Sequence, residues 1–120
     1  MATPPAPAAR EHLLSIRKVW FDLVGRGLKT VEVRVGYPKI RRIAPGDLLY
    51  LTADHATRRT RVVRVAAYAS FAELLDAEDP AAVGGPGADR EAVLSALREI
   101  YPPEKEALGV YALQLSRDGD

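Results

Sequence analysis

The stretch from Gly25 to Gly36 reads GRGLKTVEVRVG, and from its threonine onward polar and apolar side chains alternate strictly. This alternation predicts a β-strand over residues 29–35, because successive side chains of a strand point to opposite faces. Three valines share one face, which is therefore expected to lie against the core. The other face carries Thr30, Glu32 and Arg34.

Two interpretations of this polar face are open. It can be a solvent-facing strand surface whose acid and base form an ion pair worth less than about 1 kcal/mol. Alternatively, it can line a binding site, since the edge of a nucleobase presents hydrogen-bond donors and acceptors side by side. Lys29 stands at the first position of the strand, where its ammonium can reach past the end of the sheet.

The rest of the chain predicts a small α+β, mainly β fold. Strands are predicted over 12–17, 29–35, 48–53, 61–70 and 109–116, and helices over 18–27 and 71–79 and from Asp89 to Pro102. Residues 36–47 and 81–88 are rich in Pro and Gly and are predicted to be loops. About five or six strands with two or three short helices packed on them are typical of a strongly bent sheet or a small barrel.

Composition bounds the class of protein. The 120 residues suit one domain, predicted over 11–117 after a Pro/Ala-rich, disordered tail over 1–10. Residues 1–64 contain 13 basic and 5 acidic residues, whereas residues 65–120 contain 4 and 11. Such segregation of charge along the chain can place a basic face opposite an acidic one. A basic face can attract polyanions, or it can be an ordinary solvated surface. Without a signal peptide or an apolar span, we expect a cytoplasmic protein with no membrane partner, monomeric by default.

Neither a metal nor a cofactor is expected. The chain has no cysteine, and its two histidines, His12 and His55, show no metal-ligand spacing. Its GGPG segment, 84–87, lacks the Lys-Ser/Thr pair that completes a phosphate-binding loop. A nucleophile elbow of the Gly-x-Ser-x-Gly type is absent from the sequence as well.

Aromatic and basic residues supply further candidates. Trp20 and Phe21 are neighbours on the first predicted helix and point about 100° apart, so one can enter the core while the other stacks on a base. Two clusters in or beside loops are candidates for contacting an RNA backbone, although a solvated surface would look the same. These residues are Lys39, Arg41, Arg42, Arg58 and Arg59.

The segment GLKTVEVR, residues 27–34, resembles the Gly-x-Lys-x-x-Glu-x-Arg signature of ASCH domains. The resemblance extends to LLSIRKVWFDLVGRG before it, to IAPGDLLYL over 43–51, and to LREIYPPEKEALGVYALQL over 97–115. It spans about residues 12–116. The family resembles the PUA fold, so the resemblance implies a small PUA-like β-barrel of the kind used in RNA recognition.

The resemblance also implies a site. Lys29, Glu32 and Arg34 match signature positions and would line a cleft for RNA or a modified nucleoside, with Thr30 on the same strand face and Trp20 or Phe21 nearby. In that interpretation Lys29 meets a phosphate or a base carbonyl, and Glu32 accepts from an exocyclic amine. Arg34 either donates to the ligand or holds Glu32 in place.

Two alternatives belong to other classes of protein. The first is a metal-independent hydrolase in which Lys29, its pKa lowered by burial, acts as general base with Glu32 as partner. Its reaction would be cleavage of RNA or, less in keeping with the motif, deacetylation of acetylated cytidine. The amidohydrolase branch of the family uses a threonine three residues after the lysine, and Glu32 stands at that position here. The second alternative is a protein-interaction domain that uses the acidic C-terminal half.

Overall fold

The computed structural model describes residues 8–117. These residues form five strands, five α-helices and one 3-10 helix. In chain order they are β1 (Glu11–Ser15), α1 (Lys18–Gly25), β2 (Val31–Val35), α2 (Pro38–Arg41), β3 (Leu48–Ala53), β4 (Ala56–Tyr68), α3 (Phe71–Ala77), α4 (Pro80–Gly84), α5 (Arg90–Ile100), the 3-10 helix (Pro103–Leu108) and β5 (Val110–Arg117). None of the helices in this part of the chain is long and apolar enough to cross a membrane.

The five strands make one sheet in the order β1-β3-β4-β5-β2. β1 runs parallel to β3, and the other neighbouring pairs are antiparallel. β4 spans 13 residues and carries an irregularity between Val62 and Arg64, where a bulge increases bending and twist. The sheet curls into a half-barrel with β1 and β2 as its two edges. The predicted α+β, mainly β fold with a strongly bent sheet is confirmed.

Apolar side chains pack on both faces of the sheet. On one face, the valines of β2 pack in a core with residues of α3, α4, α5 and part of β5, as their alternation predicted. The opposite face holds a second core built by β1, β3 and α1, to which the remaining buried residues of β5 contribute. β2 is thus covered on both sides, and its polar residues face the interior of the half-barrel rather than open solvent. The outer edge of β2 lies between the two cores.

Two short helices replace predicted loops. Pro38 opens α2 and Pro80 opens α4, and proline is well suited to the first turn because no helical hydrogen bond needs its missing N–H. The Asp79 carboxylate accepts from the Ala81 amide at 3.0 Å and caps α4. Gly85 ends α4 with a φ of 97°, a left-handed value that favours glycine. Helices this short leave no periodic pattern in a sequence, and this explains why the segments resembled loops.

The start of the domain is fixed by a buried carboxylate. Asp47 accepts from the backbone amides of Arg10 and Ala44, at 3.1 and 3.0 Å. His12 Nε2 lies 2.8 Å from the same carboxylate. Residues 1–7 of the predicted disordered tail lie outside the described residues, whereas Arg10 is bound to Asp47 and accepts from the Leu48 amide at 2.9 Å. These bonds hold the beginning of β1 against the beginning of β3.

Candidate functional site

A cavity of about 280 Å³ lies along the outer edge of β2. One wall is formed by the β1–α1 connection and the first turns of α1, and the other is formed by α4, α5 and the residue after α5. The residues that line it are Ser15, Ile16, Arg17, Trp20, Lys29, Glu32, Val33, Arg34, Val83, Gly84, Ala88, Ala92, Val93, Ala96, Leu97, Ile100 and Tyr101. Of the predicted ligand-binding residues, four line it: Trp20, Lys29, Glu32 and Arg34.

Lys29 is buried, with 4% of its surface exposed, and its ammonium is fully engaged. Nζ donates to the carbonyl oxygens of Val31 and Val83, both at 2.6 Å, and lies 3.2 Å from Glu32 Oε1. An ammonium has three N–H donors, so these contacts account for all of them. Nζ also lies 5.6 Å from the centre of the Trp20 ring. Lys29 therefore ties β2 to α4, on which Val83 lies.

Glu32 is the shared counter-ion of two cations. Its Oε1 faces Lys29, and its Oε2 accepts a hydrogen bond from Nε of Arg34 at 2.8 Å and lies 2.7 Å from Nη2 of the same guanidinium. Burial by itself would raise the pKa of Glu32, but the ammonium and the guanidinium more than offset it and hold that pKa below its ordinary value. Burial lowers the pKa of Lys29, and Glu32 offsets part of this effect. The three residues form one buried, hydrogen-bonded ionic network.

Arg34 connects the two edges of the sheet. Its Nη2 donates to the Ser15 carbonyl at 2.7 Å, which bridges β2 to the end of β1. The side chain is 18% exposed, and no hydrogen bond within residues 8–117 uses Nη1. Because each terminal nitrogen of a guanidinium carries two N–H groups, Nη1 retains two unused donors on a side chain that lines the cavity. Arg34 therefore both holds Glu32 and retains donors for a ligand.

The remaining surface of the cavity is largely apolar. α5 contributes small side chains, Ala92 and Ala96, which keep the space beside them open. Tyr101, directly after α5, is half-buried, and burial raises the pKa of its phenol. The indole of Trp20 lies on the other wall. A flat apolar ligand with a polar edge fits this apolar lining better than a free phosphate would.

The other two predicted ligand-binding residues do not line the cavity. Phe21 is 4% exposed and packs in the core with the guanidinium of Arg58 over its ring, 4.4 Å from the centre. Thr30 is exposed, and its backbone bonds to Ala82 and Leu115. The structure thus places Trp20, rather than its neighbour, at the cavity.

None of the five cations proposed for the RNA backbone lines the cavity, and four of them do not lie in loops: Lys39 and Arg41 are on α2, and Arg58 and Arg59 are on β4. Arg41 donates to the carbonyls of Gly36 and Leu108, both at 2.8 Å, and Arg58 donates to the Phe21 carbonyl at 3.1 Å. These two guanidiniums therefore have structural partners. Lys39, Arg42 and Arg59 are exposed.

Sequence reasoning missed a cation at the rim of the cavity. Arg17 is exposed and lines the cavity, and its guanidinium has no hydrogen-bond or ion-pair partner among residues 8–117. It immediately precedes α1, three residues before Trp20, and residues three apart lie on the same side of a helix. This spacing could have indicated from the sequence that Arg17 lies beside Trp20.

As for metals, the described residues contain no group of three or more His, Cys, Asp or Glu side chains placed to hold one.

Comparisons with known proteins identify the family. The ASCH domain family model matches residues 14–117. A crystal structure titled hypothetical protein PH0355 is 25% identical, with a TM-score of 0.81 over 88% of this chain and 97% of that one. A solution NMR structure of protein PF0455 from Pyrococcus furiosus is 26% identical, with a TM-score of 0.74 over 92% of this chain and 99% of that one. A search of curated proteins gave no match. The curled sheet is the small PUA-like barrel that the sequence predicted, and the chain belongs to the ASCH domain family.

Proposed function

We propose that the domain binds RNA, or a nucleoside derived from it, by taking one nucleobase into the cavity beside β2. The observation that carries this proposal is a largely apolar cavity whose lining includes Trp20 and Arg34, and no hydrogen bond within residues 8–117 uses the Nη1 donors of Arg34. A nucleobase has apolar faces that stack on aromatic side chains and a polar edge that accepts hydrogen bonds. The volume, about 280 Å³, is near the lower end for small-ligand sites, roughly 300–1,000 Å³.

The four predicted ligand-binding residues that line the cavity have different roles in this proposal. Trp20 stacks on the base, and Arg34 donates from Nη1 to a base carbonyl or ring nitrogen. Glu32 fixes the Arg34 guanidinium through a hydrogen bond from Nε and an ion-pair contact with Nη2, both to one carboxylate oxygen. Lys29 is a positioning residue, since its three donors hold α4 and Glu32 rather than a ligand.

Arg17 is the phosphate contact in the same proposal. It lies at the rim of the cavity, it is exposed, and phosphate recognition requires a positive charge within reach rather than a specific geometry. The exposed residues Lys39, Arg42 and Arg59 form an outer approach for a longer RNA. A cytoplasmic location, where RNA and nucleosides are at hand, completes the proposal and is supported by the sequence alone.

The fluorescence of Trp20, the only tryptophan in the chain, tests this proposal. Titration with a mixed-sequence single-stranded RNA at low salt is expected to quench Trp20 in a saturable way. Loss of a hydrogen bond to a charged donor, worth about 1.5–3 kcal/mol, should weaken binding at least tenfold in Arg34→Gln. Arg98→Gln is the matched control, because Arg98 is exposed on α5 and does not line the cavity.

Circular dichroism and thermal unfolding of both variants separate loss of binding from loss of fold. Equal affinity of the folded Arg34→Gln and Arg98→Gln proteins would overturn the assignment of the base to the cavity. The absence of any saturable binding at low salt would overturn the proposed function itself.

A hydrolase is the second candidate, and the lowered pKa of Lys29 is the observation that favours it. A general base needs a free lone pair, and here the protonated Nζ donates to three partners. The test is incubation with single-stranded RNA and, separately, with acetylated cytidine in the presence of a chelator. Turnover that disappears in a folded Lys29→Met variant would replace the binding proposal; its absence would leave binding as the function. A partner captured equally well after nuclease treatment would instead favour the protein-interaction alternative.

A further inference from the structure

The outer edge of β2 presents backbone groups to the cavity. Two hydrogen bonds bracket the pairing of β2 with β5: Leu115 N–H donates to the Thr30 carbonyl at 2.8 Å, and Gly36 N–H donates to the Gly109 carbonyl at 2.9 Å. The register between these bonds is continuous, so residues 32 and 34 also pair with β5 through hydrogen bonds. In an antiparallel pair the intervening residues turn their N–H and C=O groups away from the partner. Those residues are the three valines of β2.

Val33 is the valine whose outward backbone groups are both unused. The Val31 carbonyl accepts from Lys29 Nζ at 2.6 Å, and the Val35 carbonyl accepts from the Tyr37 amide at 2.8 Å. Within residues 8–117, by contrast, no hydrogen bond outside the strand ladder uses the N–H or C=O of Val33. Val33 lines the cavity along the outer edge of β2, and the register with β5 turns its N–H and C=O toward that same edge.

We propose that the N–H and C=O of Val33 bind the hydrogen-bonding edge of the base, so that the ligand is a nucleotide whose base is unpaired. This inference rests on the proposed function and names its ligand class. One residue of an edge strand offers a donor and an acceptor on the same side, and each nucleobase carries a donor and an acceptor next to each other on its pairing edge. Nη1 of Arg34, the next residue, adds further donors. A base that is already paired in a duplex has no free edge for these groups.

A nucleobase fits this edge better than an added peptide strand does. Strand addition uses successive outward-facing residues along an edge. Here the carbonyls on either side of Val33 already accept from Lys29 and Tyr37, so only one residue offers both groups. The cavity is also walled by Trp20 on one side and by α5 on the other. This space suits a single flat ring rather than an extended chain.

Amide hydrogen exchange, followed by NMR, tests the inference on the intact chain. In the free protein the Val33 amide should exchange rapidly, whereas the amides of Glu32 and Arg34 should be protected by the bonds to β5. The ligands are a single-stranded RNA, the same RNA as a duplex, and a set of the four nucleoside 5′-monophosphates. The single strand should slow exchange at Val33 by at least tenfold, and the duplex should leave it unchanged.

The Leu13 amide is an internal control. Leu48 N–H donates to Arg10 and Ile16 N–H donates to Thr52, so Leu13 also faces outward, on the opposite edge of the sheet and outside the cavity lining. Its exchange should stay fast in every sample. If it slows together with Val33, the effect is a general stabilisation of the fold, and the inference is wrong.

The outcomes separate this inference from the proposed function. Quenching of Trp20 without any change at Val33 would overturn the inference and leave the proposed function in place. Equal protection by the duplex, or slow exchange of Val33 in the free protein, would also overturn it. No binding by either measurement would overturn both. Protection by a monophosphate supports the inference with a free nucleotide as a sufficient ligand; protection by the RNA strand alone supports it with RNA as the ligand.

Discussion

Replacing Glu32 with glutamine should destabilise the protein strongly. Glu32 is 6% exposed, and its carboxylate lies 3.2 Å from Lys29 Nζ and 2.7 Å from Arg34 Nη2. Glutamine keeps the shape of the side chain but removes its charge, and its amide NH₂ would face one of the two cations. The variant therefore leaves two buried or partly buried cations without a counter-ion.

The size of the effect follows from the burial of the network. Removing one partner of a buried ion pair costs about 3–5 kcal/mol, because an uncompensated charge stays in the interior. At roughly 3–4 °C per kcal/mol for a domain of this size, the midpoint of thermal unfolding should fall by about 10–20 °C. The matched control is Asp22→Asn, which breaks the exposed i,i+4 pair between Asp22 and Lys18 and should cost less than about 0.5 kcal/mol.

Urea denaturation of both variants and the wild type, monitored by circular dichroism, measures these differences, and the pH dependence adds a second signature. The folded-state pKa of Glu32 is lowered. The contribution of Glu32 to stability is therefore complete above the unfolded pKa of about 4.3 and is lost as pH falls through the folded-state pKa. The folded-state pKa of Lys29 is lowered too, and losing Glu32 lowers it further because a stabilising charge disappears. Stability then rises with pH between the folded and unfolded pKa values of Lys29, so the stability deficit of Glu32→Gln should narrow as pH rises toward the unfolded value of about 10.4.

A loss of unfolding free energy in Glu32→Gln within about 1 kcal/mol of the loss in Asp22→Asn would refute this reasoning, because removing the only carboxylate of a buried network should cost more than that. A deficit that widens with rising pH would also refute it, since Lys29 would then not be the uncompensated group.

Three further predictions concern residues around the cavity and the start of the domain. Trp20→Leu should weaken binding of a fluorescently labelled single-stranded RNA by about tenfold, measured by anisotropy, because base stacking is worth about 1–3 kcal/mol. Arg17→Gln should reduce the slope of log affinity against log salt by about 0.7, whereas Arg42→Gln, away from the cavity, should change it less. Asp47→Asn should cost about 2–3 kcal/mol in urea denaturation, since a charged acceptor of three hydrogen bonds is lost; the lowered pKa of Asp47 means that this difference should shrink below about pH 4.

Local patterns in the sequence predicted much of the fold. The alternating valines set the face and nearly the bounds of β2, and Asp89 accepts from the Ala92 amide at 2.8 Å as an N-cap should. The two helices that were missed, α2 and α4, span four and five residues, too few for a periodic pattern. The order of strands in the sheet depends on contacts between distant segments, which no local pattern encodes.

Four residues of the cavity lining, Trp20, Lys29, Glu32 and Arg34, could be named from the sequence, but their partners could not. Whether the polar face of β2 neutralises itself or meets a ligand could not be decided from spacing, and the structure combines the two: Glu32 pairs with both cations, and Arg34 retains donors at Nη1. The contact from Lys29 to the Val83 carbonyl crosses 54 positions of the chain. Its role as a clamp was therefore invisible in the sequence, where a basic residue at a strand end suggested a ligand contact.

The central claim is that a nucleobase enters the cavity between Trp20 and α5. Intermolecular nuclear Overhauser effects in a complex of isotope-labelled protein with unlabelled single-stranded RNA measure this most directly. The account predicts contacts from base protons to the indole of Trp20 on one wall and to the methyl groups of Ala92 and Ala96 on the opposite wall. Saturable binding in which base protons contact only the exposed residues around Arg42 and Arg59, with none to Trp20 or α5, would contradict it.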